Sequence, residues 1–113
     1  MSAQEFSDDA AFRLAVSTVL DRLLAQVDEI DSDDLDPRLS AGNLQVVFED
    51  TNSTFVLSQQ TPTHELWLSA NLRAWHFLRE DGEWFERDTR EPMTTLLSRL
   101  FSEKVGADIE FEL

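Results

Sequence analysis

The chain has 113 residues, which is the length of one domain and leaves no room for a second core. It contains no cysteine, which excludes disulfides, thiolate nucleophiles and metal sites built on cysteine. Twenty-three acidic residues against nine basic ones give a formal net charge of −14. Nucleic acids and anionic membranes are therefore not expected as partners, because phosphate contacts require Lys and Arg. We expect one domain, residues 1–113, in a cytosolic protein, since the sequence shows no basic leader and no membrane-length apolar run.

The first predicted element is a helix from about Ser7 or Asp8 to Asp31. Apolar residues recur there at steps of three and four, which places them on one stripe: Phe12, Val16, Val19, Leu20, Leu23, Val27 and Ile30. Ser7, Asp8 and Asp9 supply N-cap oxygens and negative charge that suits a helix start. Leu14 is predicted to point away from the stripe.

Strand-like segments follow, separated by turn residues. Alternation over residues 43–49 places Leu44, Val46 and Phe48 on one face. Further strands are predicted at residues 53–58, 65–69, 74–79 and 83–87, with a short leading strand at 35–39. The connections are short, which indicates antiparallel neighbours.

A second helix is predicted to begin near Pro92 and to end at Gly106, which suits the position after a helix. Its apolar stripe is Met93, Leu96, Leu97, Leu100 and Phe101. The order helix, strands, helix predicts an α+β fold: a two-layer sandwich in which both helices pack on one face of an antiparallel sheet. The other face of the sheet would meet solvent or a partner.

The densest charged segment spans residues 28–36, where six of nine residues are acidic and none is basic. We call these six residues the acidic ridge: Asp28, Glu29, Asp31, Asp33, Asp34 and Asp36. Ile30 and Leu35 are expected to anchor the segment to the core. Ligand sets made only of oxygen favour hard cations such as Ca²⁺, Mg²⁺, Mn²⁺ and iron. The segment is not an EF-hand, and the alternative is a solvated charge run that confers only solubility.

Other candidate residues are fewer. His64 and His76 match no metal-binding motif and are predicted to be structural or surface residues. No nucleophile elbow, phosphate-binding glycine loop or dinucleotide fingerprint is present, so an ordinary enzyme is not predicted. Alternation places Trp67 on the face opposite Leu66 and Leu68, where it is either an interface anchor or half-covered by cross-strand neighbours.

From Phe12 to Phe111 the sequence resembles the frataxin family in its bacterial form. The most specific match is Gln60-x-Pro62 followed by Trp67-Leu68, and His76-Phe77 also matches. The resemblance implies a frataxin-like fold and an iron-binding protein that regulates iron–sulfur cluster assembly as an iron donor or iron sensor. It implies no enzymatic activity of the chain itself.

The resemblance also assigns roles to residues. Iron, as Fe²⁺ or Fe³⁺, would bind weakly to the whole ridge, namely Asp28, Glu29, Asp31, Asp33, Asp34 and Asp36, with other divalent cations as alternatives. Asp28, Glu29 and Asp31 would contact a basic surface of the cysteine desulfurase. Gln60 and Trp67 would contact the complex of the desulfurase and the scaffold protein. The protein is expected to be a monomer alone.

Two alternative functions stay open. The first is an acidic adaptor or inhibitor that docks on a basic protein surface and has no metal role. The second is a ferroxidase, which ranks last because an exposed ridge does not resemble a buried di-iron pair.

Overall fold

In a computed structural model, which describes residues 5–30 and 32–113, the chain forms a two-layer α+β sandwich. The elements in chain order are α1 (Asp9–Asp28), β1 (Leu35–Ser40), β2 (Asn43–Phe48), β3 (Ser53–Gln60), β4 (Glu65–Ala70), β5 (Arg73–Glu80), β6 (Glu83–Glu86) and α2 (Met93–Val105). All neighbouring strands are antiparallel, and their spatial order equals their order in the sequence. The predicted fold, with both helices on one face of the sheet, is confirmed. Within the described residues, neither helix is long and apolar enough to span a bilayer.

The core lies between the sheet and the two helices. Both predicted helix stripes are buried, apart from Ile30, which lies beyond the end of α1 and is partly buried. The strands contribute their alternate residues, namely Leu44, Val46, Phe48, Phe55, Leu57, Leu66, Leu68, Ala70, Trp75, Phe77 and Trp84. Leu14 is 70% exposed, as its position off the stripe predicts. The repeat of the apolar residues, 3.6 residues in the helices and 2 in the strands, thus determines which side chains are buried.

Helix α1 ends earlier than the sequence predicts. The prediction extends it to Asp31, but the helix ends at Asp28, and Asp31 lies outside the described residues. The N–H of Ile30 donates to the Val27 carbonyl (3.1 Å), which is the tight last turn typical of a helix end. The last turn contains no basic residue, so further acidic residues would add negative charge at the negative end of the helix dipole. This charge opposes a longer helix.

Helix α2 begins one residue later than predicted. Pro92 precedes the helix with φ −59° and ψ 140°, and its carbonyl accepts the N–H of Leu96 (3.0 Å). Gly106 ends the helix in the left-handed region at φ 80°, as predicted. A glycine suits this position because it has no Cβ to clash there.

Both ends of the described chain are tied to the sandwich. Phe6 packs edge-on against Phe12, with ring centroids 5.4 Å apart, and lies beside Trp84. At the other end, Phe111 is buried against Phe101, with centroids 4.9 Å apart. The C-terminal segment therefore closes the core between the helices, although it forms no strand.

Candidate functional site

The acidic ridge occupies the passage from α1 to β1. Asp28 is the last residue of α1, Glu29 is its C-cap, Asp33 and Asp34 lie in the following turn, and Asp36 is in β1. The sixth member, Asp31, lies outside the described residues. The side chains of Asp28, Glu29, Asp33 and Asp34 are exposed, and that of Asp36 is half-buried.

Two apolar residues fix this passage to the rest of the molecule. Ile30 and Leu35 are partly buried and pack against the core, which confirms their predicted role as anchors. Leu35 opposes Phe48 in the antiparallel register of β1 and β2. The backbone of the ridge is therefore supported while its carboxylates face water.

The fold adds two carboxylates that the sequence reasoning missed. The N–H of Glu49 donates to the carbonyl of Asp34 (2.8 Å), so the turn after β2 lies beside the ridge. Glu49 and Asp50 are both exposed there. The sequence feature that could have revealed Glu49 and Asp50 is the hairpin of β1 and β2. Its register continues past the pair Leu35↔Phe48 and places Glu49 opposite Asp34.

Basic partners are scarce along the ridge. Arg38 donates to Asp36 at 2.7 Å, in an exposed ion pair. Among the residues that the structure describes, Asp28, Glu29, Asp33 and Asp34 have no basic side chain within ion-pair distance. Within residues 5–30 and 32–113, no three His, Asp or Glu side chains are close enough to hold a metal ion together. The ridge is thus an open row of carboxylates, suited to loosely held hard cations or to a basic protein surface.

The outer face of the sheet carries the second predicted surface. Trp67 is 37% exposed, which confirms its predicted outward direction. It lies between Ser58 of β3 and His76 of β5 in the register. Gln60, two residues after Ser58, is half-buried on the same face, and its Nε2 donates to the Ser58 hydroxyl (3.3 Å). The structure thus places Gln60 and Trp67 on one face.

Three further residues around Trp67 were not predicted as part of this surface. The carboxylate of Glu65 accepts the indole N–H of Trp67 (2.9 Å) and an N–H of Arg87 (3.3 Å). A second N–H of Arg87 lies 3.1 Å from Nδ1 of His76. Because guanidinium groups only donate hydrogen bonds, Nδ1 of His76 is the acceptor in this contact. The only sequence signal was the spacing of two between Glu65 and Trp67, which places both on one face of a strand.

The remaining histidine lies far from the ridge along α1. His64 is buried, and its ring stacks on Phe12 with centroids 4.8 Å apart. Its Nε2 lies 2.8 Å from a carboxylate oxygen of Asp9, at the first turn of α1. This pair joins the segment before β4 to the start of the helix.

These features define an acidic α+β sandwich with two candidate interaction surfaces, the ridge and the outer face of the sheet. A family model described as a frataxin-like domain matches residues 5–107. A protein of Pseudomonas aeruginosa named iron-sulfur cluster assembly protein CyaY is 38% identical over 98 residues, which cover 82% of this chain and 90% of that protein. The protein of the same name from Azotobacter vinelandii is 36% identical, covering 82% and 88%. The chain belongs to the frataxin family.

Solved structures agree with the fold. The frataxin of Psychromonas ingrahamii superimposes with a TM-score of 0.85 at 19% identity, covering 94% of this chain and 99% of that one. The trimeric frataxin of the yeast Saccharomyces cerevisiae, complexed with ferrous iron, gives a TM-score of 0.71 at 24% identity, covering 81% and 86%. At these identities the likeness concerns the fold alone.

Proposed function

We propose that this chain acts in iron–sulfur cluster assembly in the cytoplasm, as an iron-binding protein that regulates the complex of cysteine desulfurase and scaffold protein. The observation that carries the proposal is the open row of carboxylates at the passage from α1 to β1, in a chain of this family. The relatives named above carry an iron–sulfur cluster assembly name, which supports the same role.

Iron would be cargo or signal on the ridge rather than a resident cofactor. Carboxylate oxygens are ligands for hard cations, and those of the ridge are exposed. Without a preformed set of three ligands in the described residues, an ion would keep part of its water shell and exchange readily. The name of the bacterial relatives, iron-sulfur cluster assembly protein, supports iron as the metal.

The same carboxylates would attract a basic partner. Four described ridge residues lack basic partners of their own, and Glu49 and Asp50 extend the negative surface. Such a surface steers a basic partner and accelerates association more than it slows dissociation. Trp67 and Gln60 would provide a second contact, of the buried-anchor kind that slows dissociation.

A second candidate function is an acidic adaptor or inhibitor without a metal role. It is favoured by one observation, namely that no three metal-binding side chains converge within the described residues. Both candidates need the ridge for partner binding, and they differ in whether iron binds to it.

The test of the proposed partner is a kinetic binding assay with a purified bacterial cysteine desulfurase–scaffold complex. Replacing Asp28, Glu29 and Asp31 by Lys should weaken binding by about 10-fold or more, mainly through a slower association rate. The effect should shrink in high salt, because exposed charges are screened beyond about 10 Å at 0.1 M.

A matched pair of single variants controls for net charge. Glu29→Lys and Glu83→Lys change the charge equally, but Glu83 is exposed at the start of β6, on the opposite edge of the sheet. Only Glu29→Lys should slow association clearly. Equal association rates for the folded triple variant and the parent would refute the ridge as the docking surface.

A further inference from the structure

We propose that Glu65 is a positioning residue for Trp67, and that Trp67 meets its partner through an apolar face alone. This inference rests on the proposed function, in which Trp67 is a contact to the desulfurase–scaffold complex. It adds a residue to which the family resemblance assigns no role, and it defines the chemistry of the pocket that receives the indole.

Glu65 is unusual because it is buried on the side of the sheet that faces away from the core. It lies on the same face of β4 as Trp67, yet it is only 5% exposed. A buried carboxylate is costly unless hydrogen-bond donors compensate the lost hydration. Two donors do so here, the indole N–H of Trp67 at 2.9 Å and an N–H of Arg87 at 3.3 Å.

The contacts close into a ring across β4, β5 and the residue that follows β6. Arg87 bridges Glu65 to Nδ1 of His76 (3.1 Å), and its own backbone N–H donates to the His76 carbonyl (2.7 Å). The imidazole of His76 then packs edge-on against Trp67, with centroids 4.7 Å apart. The indole is therefore held at its nitrogen by Glu65 and at its ring by His76.

This arrangement determines what Trp67 can offer to a partner. An indole has one hydrogen-bond donor, and Glu65 already accepts it. The outward surface of Trp67 consequently binds by apolar contact, and the receiving pocket needs no hydrogen-bond acceptor. Arg87 donates to the same carboxylate as the indole, and because its side chain is 44% exposed, it disfavours a cationic pocket. The partner surface that fits is an apolar cleft.

Holding the indole before binding also lowers the cost of binding. A side chain that is already immobile loses less conformational freedom in the complex, and the saving for one large side chain corresponds to about 2- to 10-fold in affinity. Loss of the Glu65 contact should therefore raise the dissociation rate by that factor and leave the association rate unchanged.

The experiment combines a measurement on the free protein with one on the complex. In the free protein, NMR follows hydrogen exchange of the Trp67 indole N–H, with Trp67→Phe identifying its signal among the three tryptophans. In the complex, the dissociation rate from the purified desulfurase–scaffold complex is measured. Glu65→Leu should speed both processes, whereas Glu65→Gln, which keeps an acceptor oxygen, should change both much less.

A second variant covers the case in which Glu65→Leu does not fold. Glu65→Asp keeps the charge but is shorter by one methylene, so its oxygens should no longer reach the indole nitrogen. It should speed exchange and dissociation in the same direction. Unchanged indole exchange in Glu65→Asp and Glu65→Leu would overturn the positioning role.

The failure of this inference differs from the failure of the proposed function. If Trp67→Ala leaves the dissociation rate unchanged, Trp67 is not a partner contact, and the apolar docking of this inference fails with that part of the proposed function. The second case is that Trp67→Ala speeds dissociation. If Glu65→Leu then raises the dissociation rate of the Trp67→Ala variant by the same factor as it does in the parent protein, Glu65 acts on the partner directly and the positioning role is wrong. No added effect in that background supports it.

Discussion

Glu86 shows how a carboxylate is kept charged inside this fold. It is buried at the end of β6, and its two oxygens accept backbone N–H groups from His76 (3.0 Å), Asp88 (2.8 Å) and Thr89 (2.9 Å). Burial alone would raise the pKa of this carboxyl, but the three backbone donors and the electrostatic effect of His76 together lower the pKa below its ordinary value. The charged group thus fixes the turn that carries Arg87.

This lowered pKa predicts a pH-dependent contribution to stability. A carboxylate whose pKa is lower in the folded state stabilises the fold above its unfolded pKa, near 4.3, and loses that contribution as the pH falls through the folded pKa. Glu86→Gln should therefore cost about 1.5–3 kcal/mol at neutral pH and less in acid. Urea unfolding of both proteins between pH 3 and 7 measures this difference, and a difference that does not vary with pH would contradict the role of the charge.

At the level of elements, the C-terminal segment behaves as a fixed part of the sandwich. The Ser98 hydroxyl of α2 accepts the N–H of Phe111 (2.9 Å), and the Ser102 hydroxyl accepts that of Ile109 (2.9 Å). Gln26 of α1 exchanges two hydrogen bonds with the backbone of Glu112, at 2.6 and 2.8 Å. Side chains of both helices thus provide the backbone of the C-terminal segment with hydrogen-bond partners that a neighbouring strand would otherwise supply.

We expect Phe111→Ala to destabilise the protein by about 3 kcal/mol, because it removes a buried ring from contact with Phe101. This loss corresponds to a Tm lower by about 10 °C for a domain of this size. Leu113→Ala is the matched control, since Leu113 is on the same segment but exposed, and it should change Tm little. A small effect of Phe111→Ala in calorimetry would show that the segment opens without the core.

At the scale of the whole molecule, some carboxylates have an arginine partner and others have none. On the strands, Asp36, Glu65 and Glu80 each lie within 4 Å of an arginine, namely Arg38, Arg87 and Arg90. The described ridge residues outside β1 have no such partner. Since the chain carries a net charge of −14, self-repulsion is strongest near the ridge and weakens the compact state.

The Tm should therefore rise with NaCl, which screens this repulsion. Ferrous iron held only by the folded ridge should raise the Tm further than NaCl of equal ionic strength, since binding adds RT ln(1 + [L]/Kd), about 2.7 kcal/mol at a hundredfold excess over Kd. Replacing Asp31, Asp33 and Asp34 by Asn should raise the metal-free Tm and remove the iron increment. Anaerobic thermal scans measure both effects.

A control for this test neutralises charges at the opposite edge of the sheet. Asp81→Asn combined with Glu83→Gln should keep the iron increment, because Asp81 lies in the turn between β5 and β6 and Glu83 is the first residue of β6, at the edge of the sheet opposite β1. If iron gives no increment beyond ionic strength in the parent protein, the iron-binding proposal is wrong and the adaptor function is favoured.

Local sequence patterns by themselves determined the elements, their order and the face on which each side chain lies. The stripe of α1, the alternation of β2 and the outward direction of Trp67 depend only on residues a few positions apart, and short connections between strands leave an antiparallel order as the simple solution. The six-residue acidic ridge was likewise visible as a run of charge.

Only the tertiary structure decided which distant groups meet. The approach of Glu49 to Asp34 depends on strand register, and the pairing of Glu65 with Arg87 requires three strands to be in place. The end of α1 at Asp28 reflects a balance between helix electrostatics and the packing of Ile30 on the core. Such contacts join residues far apart in the chain, so no local period encodes them.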